Sequence, residues 1–169
     1  LRHNSLQAYR EAISQKFMGI RSKERTSLMA RPLYETAADL SREAKVMHTA
    51  AEKWQCDYLK LPLSYRLDFA LIRNNRLVAL AEIRVRNVTA SKYPTIIFSV
   101  NKRAKANQLS DQIKVPSFFV VKYDDEIRYI DFAETPDDFQ VGGRTGANRR
   151  DQADVELVGH YDVDRMMIL

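Results

Sequence analysis

Two stretches of the chain decide its fold: Leu61-Pro-Leu-Ser-Tyr-Arg-Leu-Asp68 and Leu77-Val-Ala-Leu-Ala-Glu-Ile-Arg84. They predict strands over 65–72 and 77–86, with Asn74-Asn75 between them as a turn signal. Each strand carries one acid, Asp68 or Glu82, beside apolar neighbours. The length of the turn decides whether the acids meet. A two-residue turn would pair Asp68 with Ala81, and a three-residue turn over 74–76 would pair it with Glu82.

Helical periodicity is found on both sides of these strands. We expect a first helix over 5–21 and a second over 36–54, where Glu43 falls about 60° from the centre of the apolar stripe and so at its edge. The stripe itself contains Leu40, Ala44, Met47, Ala51 and Trp54. Pro94 opens a third predicted helix over 95–112, although 96–98 also fits a short strand. The predicted inward residues of that helix are Ile97, Val100, Ala104 and Leu109.

The remaining segments complete an α/β layout. Strands are expected over 117–123, 126–132 and 155–163, and 141–150 is expected to be a loop because it holds three of the 5 glycines. The order of elements predicts a mixed sheet between helices. We divide the chain into a basic helical segment 1–31, a core 32–134 and a tail 135–169 that packs on the core. The 169 residues fit a single domain.

The distribution of charge separates three regions of the chain. Residues 1–31 hold 7 basic residues against 2 acids, and 60–105 hold 10 against 2. Residues 124–164 instead hold 12 acids against 4 basic residues. A basic central region favours phosphate as a partner, because clustered Lys and Arg concentrate polyanions. The alternative interpretation is a set of solvated strand edges.

Composition and motifs exclude several classes of protein. The single cysteine, Cys56, cannot form an internal disulfide, which favours a reducing compartment such as the cytoplasm. No apolar run approaches the ~20 residues of a membrane span, so no membrane partner is expected. The three histidines have no zinc-ligand spacing, and neither a nucleophilic serine motif nor a phosphate-binding loop occurs.

One constellation of chemically active residues remains: Glu43, Asp68 and the triplet Glu82-Ile83-Arg84. Two carboxylates that converge from neighbouring strands repel each other unless a cation lies between them. Mg²⁺ suits such oxygen ligands and keeps water and substrate phosphate in its other positions. Arg84 points to the same face as Glu82 and would lie beside the scissile phosphate.

These residues resemble the core of the PD-(D/E)XK nuclease superfamily over about 36–132. The resemblance extends to small phage-type members, which share the segments Tyr93-Pro-Thr and Gly142-Gly-Arg144. It implies a restriction-endonuclease-like core with a central mixed β-sheet flanked by helices. It also implies that Asp68 and Glu82 ligate Mg²⁺ or Mn²⁺, that the Ile83 carbonyl helps, and that Glu43 reaches the metal through water.

The sequence departs from the family pattern at two positions. No proline stands immediately before Asp68, and Arg84 replaces the motif lysine. Arginine stays charged and offers a planar fork suited to phosphate, whereas lysine approaches a water molecule as a compact donor. Lys102, on the predicted third helix, is a candidate for a migrated lysine. The alternative for Lys102 is a solvated helix charge.

The sequence therefore predicts a Mg²⁺-dependent DNA endonuclease or resolvase-like enzyme of a phage or mobile element, located in the host cytoplasm. A homodimer is left open. The alternative is a catalytically degenerate nuclease-fold protein that binds nucleic acid or serves as an assembly component. A third class is an interaction module that uses the acidic C-terminal part. The predicted nucleic-acid contacts are Arg66, Arg86, Lys102, Arg103, Lys105 and Arg144.

Overall fold

The computed structural model describes residues 36–143 and 155–169, all within one compact unit, Tyr34–Leu169. The predicted helix over 5–21, the basic segment 1–31 and Arg144 lie outside the described residues. Within the described part of the chain, no helix is long and apolar enough to cross a membrane.

Two helices and nine strands make up the described residues. The helices are α1 (Ala37–Lys53) and α2 (Val100–Ile113). The strands are β1 (Asp57–Lys60), β2 (Phe69–Arg73), β3 (Arg76–Val85), β4 (Thr95–Ser99), β5 (Ser117–Lys122), β6 (Ile127–Asp131), β7 (Asp138–Gly143), β8 (Val155–Asp162) and β9 (Met167–Ile168).

The strands form two sheets. The central sheet has the order β1-β2-β3-β5-β6-β9 and is mixed, because β3 and β5 are parallel while the other pairs are antiparallel. A smaller antiparallel sheet has the order β4-β8-β7. Parallel neighbours need a long crossover, and here β4 and α2 form it. The mixed central sheet and the helices confirm the predicted fold class.

Each face of the central sheet is covered by a separate apolar cluster. On one face, α1 packs Met47 and Ala51 against Phe69 of β2 and Ala81 of β3. On the other face, the small sheet and α2 pack against alternate residues of β3, β5 and β6. The residues of this second cluster include Leu80, Phe119, Val121, Ile130, Ile96, Phe98, Ala106 and Tyr161. Glu82 and Arg84 alternate with the α1-facing residues of β3 and so belong to this second face. Asp68 precedes β2 and contacts the Ile83 N–H and Lys60.

Helix α1 begins at a capping box. The Thr36 side chain accepts from the Asp39 N–H at 3.2 Å, and the Asp39 carboxylate accepts from the Thr36 N–H at 3.2 Å. The predicted apolar stripe is correct for Met47 and Ala51, which are fully buried. It is wrong for Leu40, which is 40% exposed.

The connection between β2 and β3 combines features of both predicted alternatives. Arg73 pairs with Arg76, so the turn has two residues, and Asn74 and Asn75 adopt the positive φ angles, 50° and 61°, of a type I′ turn. A β-bulge then shifts the register, because Leu71 pairs with Ala79 while Ile72 pairs with Leu77. Beyond the bulge Phe69 pairs with Ala81, and Asp68, just before β2, donates its backbone N–H to the Ala81 carbonyl.

Several predicted boundaries are wrong. Residues 95–99 are strand β4 rather than the start of a helix, because Ile96 and Phe98 alternate into the core. Helix α2 therefore buries Ala106, whereas Ala104 is exposed. The first predicted strand, 65–72, is shortened by a 3-10 turn over Leu63–Tyr65. In the predicted loop 141–150, residues 141–143 belong to β7, and the rest lies outside the described residues.

Candidate functional site

Asp68 lies at the entrance to β2 with both carboxylate oxygens engaged. Its backbone N–H donates to the Ala81 carbonyl at 3.0 Å, which ties it to β3. Oδ2 accepts from the Ile83 backbone N–H at 2.7 Å, and Oδ1 accepts from the Lys60 ammonium at 3.2 Å. The side chain is 13% exposed. Asp68 is therefore a fixed carboxylate at the edge of the central sheet.

Glu82 is a buried carboxylate in the middle of β3, with its side chain 6% exposed. Oε1 accepts from the Lys102 ammonium, whereas Oε2 has no hydrogen-bond partner among the described residues. Burial raises the pKa of Glu82 to about 8; Lys102 and Arg84 oppose the rise, and Asp68 adds to it. A buried carboxylate with an unsatisfied oxygen is costly, and a second cation would relieve that cost.

Helix α2 brings Lys102 to Glu82. The Ser99 hydroxyl caps the helix by accepting from the Lys102 N–H at 3.4 Å, and it donates to Glu156 of β8 at 2.5 Å. Lys102 thus lies in the first turn of α2, beside the end of β3, with its side chain 42% exposed. The structure places this candidate for a migrated lysine in direct contact with a site carboxylate.

Glu43 contacts the site indirectly, through the ammonium of Lys60. On α1 its carboxylate is half-buried, at 18% exposed, and accepts from the Lys60 ammonium at 3.0 Å. The same ammonium contacts Asp68 and lies 4.8 Å from the centre of the Phe69 ring. Burial alone would lower the pKa of Lys60, but Asp68 and Glu43 outweigh burial and raise it.

Arg84 occupies the position of the motif lysine, two residues after Glu82, yet its guanidinium is engaged elsewhere. Nη1 donates to the Ile97 carbonyl of β4 at 3.0 Å, and the guanidinium carbon lies 5.9 Å from the centre of the Phe119 ring. Burial lowers the pKa of Arg84, and the charge of Glu82 opposes that shift. Arg84 therefore links the two sheets while remaining close to Glu82.

The donor set fits a hard divalent cation. Among the described residues, no three or more His, Cys, Asp or Glu side chains are grouped so as to hold a metal. The side-chain ligands that the protein would supply are therefore the two carboxylates of Asp68 and Glu82. Mg²⁺ accepts one or two carboxylates and fills its other positions with water and substrate oxygens. The buried Oε2 of Glu82, which lacks a partner in the described part of the chain, is the observation that favours a cation here. The Ile83 carbonyl stays a predicted ligand, since the contact with Asp68 uses its N–H.

The predicted nucleic-acid contacts are in different surroundings. Arg66 is exposed two residues before Asp68, and Arg86 is half-buried just beyond β3. Arg103 donates to the Ala133 and Glu134 carbonyls at 3.4 and 3.0 Å, which fastens α2 to the loop after β6. Lys105 donates to Gln108 on the same helix at 3.0 Å. Arg103, one of the predicted nucleic-acid contacts, therefore also has a structural role in holding α2 against that loop.

Lys60 is a site residue that the sequence does not predict. The sequence marks it only as one end of the basic region, because the four-residue edge strand β1, which ends at Lys60, is not predicted. Lys60 pairs with Phe69 in the sheet, and its position just before Leu61-Pro62 was the available signal.

Comparison with solved structures identifies a chain of similar fold. A structure similar to this chain is that of Hjc, a Holliday junction resolvase from the archaeal hyperthermophile Archaeoglobus fulgidus. It has 9% sequence identity and a TM-score of 0.50, and the alignment covers 76% of this chain and 92% of the resolvase. At that identity the likeness shows a shared fold. No curated protein matches the sequence.

The family comparison covers a larger part of the chain than the structural alignment does. The family described as "Phage putative PDDEXK endonuclease" matches residues 29–168, which include both helices and all nine described strands. The match also includes Glu43, Asp68, Glu82 and Lys102. This chain belongs to that phage family of PD-(D/E)XK endonucleases.

Proposed function

We propose that this protein is a Mg²⁺-dependent endonuclease, also served by Mn²⁺, that hydrolyses phosphodiester bonds in DNA. The observation that supports this best is the convergence of Asp68 and Glu82 from neighbouring strands, with the Lys102 ammonium on Glu82. Such a site combines two hard anionic ligands with a cationic donor, as hydrolysis of a charged ester requires.

Asp68 and Glu82 would hold the metal, with the Ile83 carbonyl as a further oxygen donor. When bound, a divalent cation polarises a phosphoryl oxygen and lowers the pKa of a coordinated water. The protein's own contribution is to hold the carboxylates in place. Asp68 is anchored by the Ile83 N–H, and Glu82 is enclosed by the second apolar cluster.

Lys102 is the residue we assign to the task of the motif lysine. Its ammonium is next to Glu82 and substantially exposed, so it can donate to a phosphate oxygen or to the attacking water. Arg84 would support it through charge while its guanidinium holds β4 in place through the Ile97 carbonyl. Glu43 would act on the site through Lys60.

DNA is the proposed substrate because of the family and the charge pattern. Residues 60–105 hold 10 basic residues against 2 acids, and Asp68 and Glu82 are those two acids. A basic surface around an acidic centre attracts a polyanion and presents its backbone to the metal site. The resolvase with a similar fold makes branched DNA the first substrate to test.

A second candidate function is a nuclease-fold protein that binds nucleic acid without cleaving it. The observation in its favour is Arg84, which stands where the motif lysine would be and is bound to the Ile97 carbonyl. In that case the wild-type protein should cut nothing, and Arg84→Lys would introduce weak metal-dependent cleavage.

A cleavage assay separates the two functions. Supercoiled, branched and single-stranded DNA are incubated with Mg²⁺, Mn²⁺ or EDTA, using wild type, Asp68→Ala, Glu82→Ala and the control Asp111→Ala. Asp111 is an exposed acid on α2 outside the site. We expect cleavage by wild type and Asp111→Ala with a divalent metal, and none by the two site variants. Salt-sensitive binding without any cleavage would favour the second function.

A further inference from the structure

Lys60 joins two acidic side chains from different elements. Its ammonium lies 3.0 Å from Glu43 Oε2 and 3.2 Å from Asp68 Oδ1. The Lys60 side chain is 33% exposed, and the two carboxylates are 18% and 13% exposed. We refer to these three residues as the Lys60 bridge. An ion pair with so little exposure to water is screened less by salt than a surface pair. The positive charge of Lys60 therefore acts strongly on charged groups close to it.

The bridge uses the oxygen through which Asp68 would bind a metal. Oδ2 is engaged by the Ile83 N–H at 2.7 Å, and the backbone fixes that contact. Oδ1 is the other oxygen of the carboxylate, and the Lys60 ammonium is on it. A divalent cation at Oδ1 would lie within a few ångströms of an ammonium, where like charges repel strongly.

Lys60 has a second anionic partner within reach of the same ammonium. Glu43 is anchored on α1, whose Met47 and Ala51 are buried against the central sheet. An ammonium that leaves Asp68 can therefore keep one ion pair without being transferred to bulk water. Lys102, at the other carboxylate, is more exposed and forms an ion pair with Glu82.

We propose that Lys60 is a built-in placeholder cation, which holds Asp68 in the metal-free protein and is exchanged for the divalent cation while keeping its contact with Glu43. The proposal rests on the metal site of the proposed function. It predicts that Lys60 stabilises the metal-free protein and opposes metal binding. Glu43 then serves as the residue that retains Lys60.

Titration of Mn²⁺ by calorimetry tests the exchange. The variants are Lys60→Met, Lys60→Gln, which keeps a polar side chain, and Lys60→Arg, which keeps the charge. The control is Lys92→Met, which removes an exposed lysine outside the site. We expect both neutral variants to bind Mn²⁺ about tenfold more tightly than wild type, because a repelling charge is gone. Lys60→Arg and Lys92→Met should not gain affinity. The gain should persist in about 0.5 M KCl, because a contact inside the site is screened less than a distant one.

Thermal melting gives an independent readout. In EDTA, Lys60→Met and Lys60→Gln should melt below wild type, and saturating Mn²⁺ should raise their melting temperatures by more than it raises that of wild type. If wild type binds Mn²⁺ and Glu82→Gln weakens that binding, but the neutral Lys60 variants bind no tighter, the placeholder role is overturned and the metal site stands. If wild type binds no Mn²⁺, the proposed function and the placeholder role both fail.

Discussion

Asp68, just before β2, and Glu82, on β3, are close enough for the charge of Asp68 to raise the pKa of Glu82, but the surroundings of the two carboxylates differ. Asp68 is at the sheet edge, with a backbone N–H on one oxygen and Lys60 on the other. Glu82 is inside the second apolar cluster, with Lys102 on one oxygen and no partner for the other among the described residues. Asp68 has a partner on each oxygen. Glu82 is buried with one oxygen unpartnered in the described part of the chain, so it has the greater need of a further cation.

Replacing each carboxylate by its amide should give the largest effects on cleavage. The effects on stability should differ between Asp68 and Glu82. Asp68→Asn and Glu82→Gln should each reduce metal-dependent cleavage by about a thousandfold, because each removes a metal ligand. In EDTA, however, Asp68→Asn should lower the free energy of unfolding by about 1–3 kcal/mol, since it disrupts a satisfied charge network. Glu82→Gln should leave it unchanged or raise it at pH 8. Urea denaturation with both variants measures this, and equal losses of stability would contradict the comparison.

Removing Lys102 should give the next largest effect. Lys102→Met takes away the cation at Glu82, so we expect cleavage to fall about a hundredfold, as when an electrostatic donor is lost. Lys45→Met is the control, because Lys45 is an exposed lysine on α1 outside the site and outside the basic region 60–105. Single-turnover rates on the preferred DNA give the comparison. If Lys102→Met left the rate unchanged, the role of the motif lysine would belong to Arg84 and not to Lys102.

The pH dependence of stability should show a smaller difference. In the metal-free folded protein the pKa of Glu82 is about 8, above its ordinary value of 4.5. Between these values the folded state keeps a proton that the unfolded state releases, so the contribution of Glu82 to stability falls as pH rises and levels off above about 8. The difference in unfolding free energy between wild type and Glu82→Gln should therefore grow from pH 4.5 to 8. Parallel curves would contradict a buried, neutral Glu82.

The capping box of α1 should give the smallest effect. Thr36→Ala removes the side-chain acceptor at the helix N-terminus and should cost about 1 kcal/mol of stability. The hydrogen bonds from Thr36 lower the pKa of Asp39 from 3.8 to about 2, so the stability that this cap contributes should be present above pH 3.8 and be lost as pH falls from there to about 2. Metal affinity should be unaffected, because Glu43 is about two turns further along the helix. Circular dichroism melts at pH 7 and metal titration measure the two properties.

The sequence predicted the two carboxylates but could not decide their register. The alternation in the two strands and the Asn74-Asn75 turn signal are local features, and the structure has a hairpin there, although β2 begins at Phe69 and not at 65. The bulge that shifts the register between β2 and β3 lies at Val78, an ordinary strand residue with no local signal. Packing between sheets decides such a bulge, and the sequence pattern of one hairpin does not contain it.

The cations of the site were harder to predict than the acids. Lys102 was recognised as a candidate, but a helix expected from 95 placed it in the second turn rather than next to the Ser99 cap. Lys60 was missed because β1 is four residues long and is defined by its pairing with β2. Short edge strands depend on tertiary contacts more than on local propensity.

The most direct test of a shared metal site is a double-mutant cycle on Mn²⁺ binding. Calorimetry would measure the dissociation constant for wild type, Asp68→Asn, Glu82→Gln and the double variant in the absence of DNA. If both carboxylates hold one ion, wild type binds one equivalent, each single variant loses at least about tenfold in affinity, and the double variant is little worse than either single one. Independent, additive losses or a wild type that binds no Mn²⁺ would contradict a metal held between Asp68 and Glu82.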